Sequence, residues 1–259
     1  QDLKATDKTQ VAVTLVNLAA ALVLNEKGIT AAGTAGFSLG EYAALYAAGI
    51  ISRQDIFPIV KMRGEIMEKV SRSLDAPAGN PGMAAVIGLN YAQLEAALQA
   101  AHLEGVFIAN NNSPDQNVVS GTFEGIQTAE AVLTAAGAKR YIPRKVSGPF
   151  HCPLLKAAGE QMEAALERYT FSNPMKPVYS NVTGGWITGG AEAKKLCVRQ
   201  ITSPVQWVLE EDNLIKDGFD SFLEVGPGTV LTGLFKKISR DLSCKMAGRL
   251  TDINALQLG

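Results

Sequence analysis

Apolar residues recur at helical spacing from Val11 to Leu24 and the run ends at Gly28, so the pattern predicts a helix over residues 10–26, buried on most sides, with glycine at the left-handed position just past its end. Residues 29–35 read as extended and run into a sharp turn. A helix over 39–48 follows and stops at Gly49. Ser52, with Asp55 three residues on, has the form of a capping box and opens a further helix over 53–72. Residues 73–82 are rich in Ala, Pro, Gly and Ser and mark a linker.

Beyond the linker the periodicity changes. Strands are predicted at 83–88, 106–109, 117–120 and 139–146, with helices at 91–101 and 123–136. The order β-α-β-β-α-β is that of a ferredoxin-like split unit. Further helices are expected at 154–169 and 229–240, with strands near 178–181 and 221–225. The last strand enters Gly226-Pro227-Gly228, a tight turn feeding the final helix. The division expected is a larger α/β unit in two parts, 1–76 and 147–259, with a small subdomain of residues 77–146 inserted between them.

Composition narrows the function classes. The chain has 259 residues, of which 47% are hydrophobic and 19% charged, enough to bury a full core. Formal net charge is −1, from 24 basic and 25 acidic residues without a strong block of either sign, so neither nucleic acid nor an anionic membrane has an electrostatic claim on it. Cys152, Cys197 and Cys244 are odd in number and lack C-x-x-C spacing, which argues against a disulfide framework or a thiolate metal site and fits a reducing cytoplasm. The run 11–24 is shorter than a membrane span and lacks the basic flank of a secretory signal.

Gly36-Phe37-Ser38-Leu39-Gly40 has the form G-x-S-x-G between a small-residue extended segment and an alanine-rich helix, the setting of a nucleophile elbow. A helix N-cap serine is the plainer alternative. Small residues at 33–36 and 40 suit close backbone approach, and the Leu39 amide, at the positive end of the helix, is placed to donate to an oxyanion. A serine needs a base, and only two histidines exist. His102 falls in a loop of the small subdomain. His151 lies in Ser147-Gly148-Pro149-Phe150-His151-Cys152-Pro153, where the chain re-enters the larger unit, and is the better candidate.

Arg63 falls on the same helical face as Ile56, Ile59, Val60, Ile66, Met67 and Val70, so it points inward. A buried guanidinium requires a partner: an internal carboxylate, water, or the carboxylate of a substrate gripped by its planar fork. Asn110, Asn111 and Asn112, before Ser113-Pro114, read as turn formers between two strands. Cys152 ranks below Ser38 as a nucleophile because sequence neighbours rarely face each other.

These segments, together with Met62-Arg63-Gly64, Ser203-Pro204-Val205-Gln206-Trp207 and Glu224-Val225-Gly226-Pro227-Gly228, occur in an order that resembles the malonyl-CoA:acyl carrier protein transacylases and the related acyltransferases of polyketide synthesis. The resemblance implies an α/β-hydrolase-like core with an inserted ferredoxin-like subdomain. It further implies Ser38 as the acylated nucleophile, His151 as general base, and Arg63 as the partner of the malonyl carboxylate. By the same resemblance, the main-chain carbonyl of Gln206 orients the histidine, Asn112 supports that segment, and Phe150 accompanies a preference for unbranched malonyl units.

Malonyl-CoA would be the donor and the phosphopantetheine thiol of acyl carrier protein the acceptor, with no cofactor and no metal. Two departures stand out. Phe37 replaces the histidine that the family carries before its nucleophile, for which altered packing is expected. The family's Gly-Gln-Gly-x-Gln segment, whose last glutamine gives a second oxyanion amide, would lie upstream of Gln1. Two rival readings are a serine hydrolase or thioesterase using the same elbow with water as acceptor, and a non-catalytic acyltransferase that binds a carrier.

Overall fold

A computed structural model describes residues 6–256; Gln1, which opens the sequence, lies outside them. The first helix, α1 (Thr6–Glu26), is followed by α2 (Leu39–Ala47) and α3 (Ile56–Ser73). By length and apolar content residues 8–26 would suffice to cross a membrane. They were expected to be buried on most sides, yet α1 buries a single stripe, Gln10, Thr14, Asn17, Ala20 and Leu24, and leaves Leu15 and Leu22 more than half exposed. Spacings of three and four residues place that stripe on one face, where it packs on α3. Residues 29–35 pair only through one parallel bridge, Thr34 with Val178.

The middle of the chain forms β1 (Gly82–Ile87), α4 (Tyr91–Ala100), β2 (Val106–Ser113), β3 (Gln116–Gly121), α5 (Phe123–Ala135) and β4 (Arg140–Arg144). The four strands make one antiparallel sheet in the order β2-β3-β1-β4. Helix ends follow local chemistry: Asn90 and Gln93 form a reciprocal capping box on α4, and Thr122 accepts from the Gly125 amide at the start of α5. One face of the sheet buries Ala84, Val86, Val106 and Val119 against Leu94, Ala129 and Leu133 of the two helices.

The three asparagines expected in a turn lie instead within β2. The strand accommodates them through irregularities between Ile108 and Asn110 and between Asn111 and Ser113, and Asn110 also bridges in parallel to Val205. Reversal is left to Pro114 and Asp115.

The chain then adds α6 (Lys156–Leu166), α7 (Gly190–Gln200), α8 (Trp207–Lys216), β5 (Ser221–Glu224), α9 (Val230–Ile238), β6 (Ser243–Met246) and α10 (Leu250–Asn254). Four of these elements, α7, α8, β6 and α10, were not anticipated. The parallel pair β5-β6 is the second sheet. The largest core joins Tyr42, Leu45, Ile56, Ile59 and Val60 to Leu155, Met162, Val178 and Ile201, so segments on either side of the small sheet pack as one body. Phe150 touches both this core and the Met83, Ala109 and Val118 cluster of the small sheet. The junction of the two regions therefore runs past the segment that carries His151.

Candidate active site

Ser38 immediately precedes α2 and has φ 51° and ψ −106°, a conformation that a side-chain-bearing residue adopts at a cost of about 1–3 kcal/mol. It makes no side-chain cap bond to its helix, so the plain capping role is not what this serine does. Two glycines flank it differently. A Cβ on Gly36 would lie 2.1 Å from the Gly40 carbonyl group, so the tight crossing of the turn requires glycine there, whereas a Cβ on Gly40 would meet nothing within 4 Å.

Ser38 Oγ lies 2.8 Å from His151 Nε2, although 113 positions separate them in sequence. Of the two histidines, His102 is exposed at the end of α4, away from this pair. His151 Nδ1 lies 2.9 Å from the main-chain carbonyl oxygen of Gln200, the last residue of α7. A carbonyl only accepts, so Nδ1 carries the proton and Nε2 is left to accept from the serine hydroxyl. The carbonyl that orients the ring thus belongs to Gln200 rather than to Gln206. Gln206 precedes α8; its carbonyl accepts from the Glu210 amide and its own amide donates to the Asn181 carbonyl at 2.8 Å.

Burial, with the positive charge of Arg63 as a second cause, holds His151 down to about 4, while the Gln200 carbonyl opposes the shift. The ring is therefore neutral at pH 7 and competent to accept a proton.

Arg63 is 2% exposed. Its two terminal nitrogens donate to Gln10 Oε1 at 2.8 Å and to Gln200 Oε1 at 3.0 Å, and its guanidinium sits over the Tyr42 ring at 5.2 Å. Both partners are neutral amides. Among the described residues no carboxylate pairs with this guanidinium, and its Nε has no hydrogen-bond partner. Of the alternatives open to an inward arginine, a structural salt bridge is therefore not the one adopted.

Gln200 joins all three groups. Its carbonyl faces His151, its Oε1 faces Arg63, and its Nε2 donates to the Ser38 carbonyl at 2.9 Å and to Glu41 Oε2. Glu41 is 1% exposed, and burial raises its carboxyl to about 7 against the opposing effect of the Gln200 bond. Neither Gln200 nor Glu41 was singled out in sequence; α7 had not been anticipated, which hid the first. The second shares the buried face of α2 with Leu45, a signal of the kind that exposed Arg63.

The remaining expected residues fall as follows. Leu39 is the first residue of α2, where main-chain amides have no partner within the helix. Asn112, in β2, is buried, and its Oδ1 has no hydrogen-bond partner. Phe150 is half-buried beside His151. Phe37 packs edge-on against Trp207, with ring centroids 5.4 Å apart. Cys152 is fully buried and its thiol donates to the Pro149 carbonyl. Among the described residues no group of three or more His, Cys, Asp or Glu side chains could hold a metal ion.

A serine on a strained turn at a helix start, a neutral histidine on its hydroxyl and a carbonyl behind the histidine define a serine acyl-transfer site. The acyl transferase domain family matches residues 1–252, and the chain belongs to that family. It is 39% identical over 244 residues to the malonyl CoA-acyl carrier protein transacylase of Bacillus subtilis, covering 93% of this chain and 75% of the relative. Identity is 40% over 240 residues to the enzyme of the same name from Escherichia coli K12, covering 92% and 76%.

Among solved structures, an acyl carrier protein S-malonyltransferase from Vibrio cholerae superposes with a TM-score of 0.91 at 35% identity, covering 99% of this chain and 83% of the other. A malonyl-transacylase in complex with its type II PKS acyl-carrier protein gives the same TM-score and identity, covering 97% and 81%. The mixed α/β fold is common to these proteins.

Proposed function

We propose that this protein transfers a malonyl group from coenzyme A to the phosphopantetheine thiol of acyl carrier protein through a malonyl ester on Ser38. The observation that carries the reading is the 2.8 Å contact of Ser38 Oγ with His151 Nε2 beside an arginine held only by amides. The transacylase relatives support the donor and acceptor.

His151 Nε2 takes the proton of the Ser38 hydroxyl as Oγ attacks the thioester carbonyl, and the Leu39 amide donates to the oxyanion. Collapse breaks the carbon–sulfur bond, and the departing thiol takes the proton from His151. The carrier thiol then gives its proton to His151 and attacks the serine ester, and Ser38 recovers its hydrogen. Each half-reaction balances on one proton and changes no oxidation state, so it calls for no cofactor. Arg63 pairs with the free carboxylate of the malonyl group, for which a fork of two parallel N–H donors is suited. Asn112 Oδ1 and Phe150 are assigned to the acyl side of the site.

In architecture we read residues 77–146 as a ferredoxin-like subdomain inserted into an α/β-hydrolase-like core of 1–76 and 147–259. The β2-β3-β1-β4 order supports the first part of that reading. Incubation with malonyl-CoA and holo-acyl carrier protein tests the function: malonyl carrier is expected as the main product, and free malonate released faster than carrier is charged would instead identify a hydrolase.

A further inference from the structure

The two peptide groups of Ser38 are both held from outside their own turn. Its N–H donates to Asn181 Oδ1 at 2.6 Å, and its C=O accepts from Gln200 Nε2 at 2.9 Å. Asn181 is fully buried and also donates from Nδ2 to the Gly36 carbonyl at 2.7 Å and to Glu210 Oε2 at 2.8 Å. The orientation of its amide is fixed by this chemistry. Two acceptors face Nδ2 and a donor faces Oδ1, so exchanging the two ends would break all three bonds. Glu210 is fully buried on the same face of α8 as Trp207 and Leu214, and it holds Asn181 from behind. Gln206 ties the same loop, through its amide on the Asn181 carbonyl.

We propose that Asn181 and Gln200 form a two-amide clamp that holds the strained turn of Ser38 in the attacking geometry, with Asn181 as a positioning residue that touches neither the substrate nor the base. It grips the chain on both sides of Phe37, at the Gly36 carbonyl and the Ser38 amide. These are the dihedrals that set where Oγ points. A serine at φ 51° left to relax would rotate its hydroxyl away from Nε2. Gln200 serves the opposite end of the residue but also holds His151 and Arg63, whereas Asn181 meets Gln200 only through a long 3.5 Å bond from Gln200 Nε2 to its Oδ1, so Asn181 is the member whose removal leaves the base and the arginine with their own partners. The proposal rests on Ser38 being the acylated nucleophile.

The test is single-turnover acylation by malonyl-CoA of the full chain, comparing the parent with Asn181→Ala and the isosteric Asn181→Asp. Each rate is taken per folded molecule from the amplitude of the thermal unfolding transition, alongside the dissociation constant for malonyl-CoA and the acid limb of the pH profile. For Asn181→Ala the acylation rate is expected to fall about 10²-fold, the scale of a reacting group misplaced by about 1 Å. The dissociation constant should stay within about threefold of the parent and the acid limb should not move, because Arg63 and His151 keep their partners. Asn181→Asp retains an acceptor for the Ser38 amide but loses the donor to both Gly36 and Glu210 and sets a buried carboxylate against these two acceptors, so its acylation rate should fall at least as far as that of the alanine variant.

Rates within about threefold of the parent would overturn the clamp, as would a loss that appears only as weaker malonyl-CoA binding. If the alanine variant does not fold, the aspartate variant decides by the same limits. A parent that carries no malonyl group on Ser38 would remove the nucleophile assignment and the clamp together, whereas a labelled parent with unaffected variants removes the clamp alone.

Discussion

The small four-stranded sheet and the surroundings of Ser38 solve burial in opposite ways. The sheet closes over Ala84, Val86, Leu94, Val119 and Leu133, an interior without charge, whose helices start at ordinary caps. Around Ser38 the buried side chains include Arg63, Glu41, Gln200, Asn181, Glu210 and His151. Apolar burial is non-directional and tolerates repacking, whereas each buried polar atom requires a partner of correct geometry. The first region is built to be stable. The second gives up some of that in return for fixed positions, and its chemistry depends on them.

Removing groups from the second region should abolish chemistry more readily than stability. The largest effect is expected for His151→Ala, with transfer falling about 10²–10⁴-fold at pH 7, measured as malonyl-carrier formation. In the parent, activity should hold as pH falls through 6 and be lost only near about 4, where His151 takes up a proton. A plateau ending near the ordinary histidine value would contradict the buried, neutral ring.

The small sheet should behave conversely. Leu94→Ala is expected to cost about 2–5 kcal/mol in chemical denaturation while leaving acylation per folded molecule unchanged. An activity loss out of proportion to unfolding would blur the contrast between the regions. Next is Arg63→Ala, for which kcat/KM with malonyl-CoA should fall about 10²-fold while turnover of acetyl-CoA, which lacks the free carboxylate, stays at its basal level. Equal losses for both substrates would mean that the arginine only supports the fold.

The smallest effect concerns Glu41. Its folded carboxyl is raised to about 7, above the unfolded value, so the folded state holds an extra proton between these values and loses stability as pH rises through 7. From pH 6 to 8 the Glu41 contribution should fall by about 1 kcal/mol, seen as the stability that the parent loses relative to Glu41→Gln over that range. His151 acts in the other direction. Its lowered value withdraws stability as pH falls from the ordinary histidine range toward about 4, so the two windows overlap below pH 7 and partly offset each other, and the Glu41 part is read as the difference between the parent and Glu41→Gln.

What could be read from the chain follows the same division. Strands and helices of the small sheet were legible to within a few residues because period, caps and turn residues are local signals. Ser38 was legible through its glycines, Arg63 through the apolar face it interrupts, and His151 through the scarcity of histidine. Their partners were not. The Gln200 carbonyl is a main-chain atom that any residue would supply, and its helix α7, with Lys194, Lys195 and Arg199 among its residues, shows a weak apolar stripe. Asn181 falls at the end of the strand expected near 178–181 and carries no signal of its own until the fold brings it to Ser38, 143 positions away. Glu210 was within reach, since it shares the inward face of α8 with Trp207 and Leu214, as Arg63 does on α3.

All of this depends on Ser38 being the atom that carries the acyl group between two thiols. Peptide mapping by mass spectrometry after brief incubation with malonyl-CoA, without carrier, tests it most directly. A malonyl group on Ser38 that disappears in Ser38→Ala and is discharged by added holo-carrier is the predicted result. A malonyl group on Cys152 or on any other residue, or turnover that survives Ser38→Ala, would contradict it.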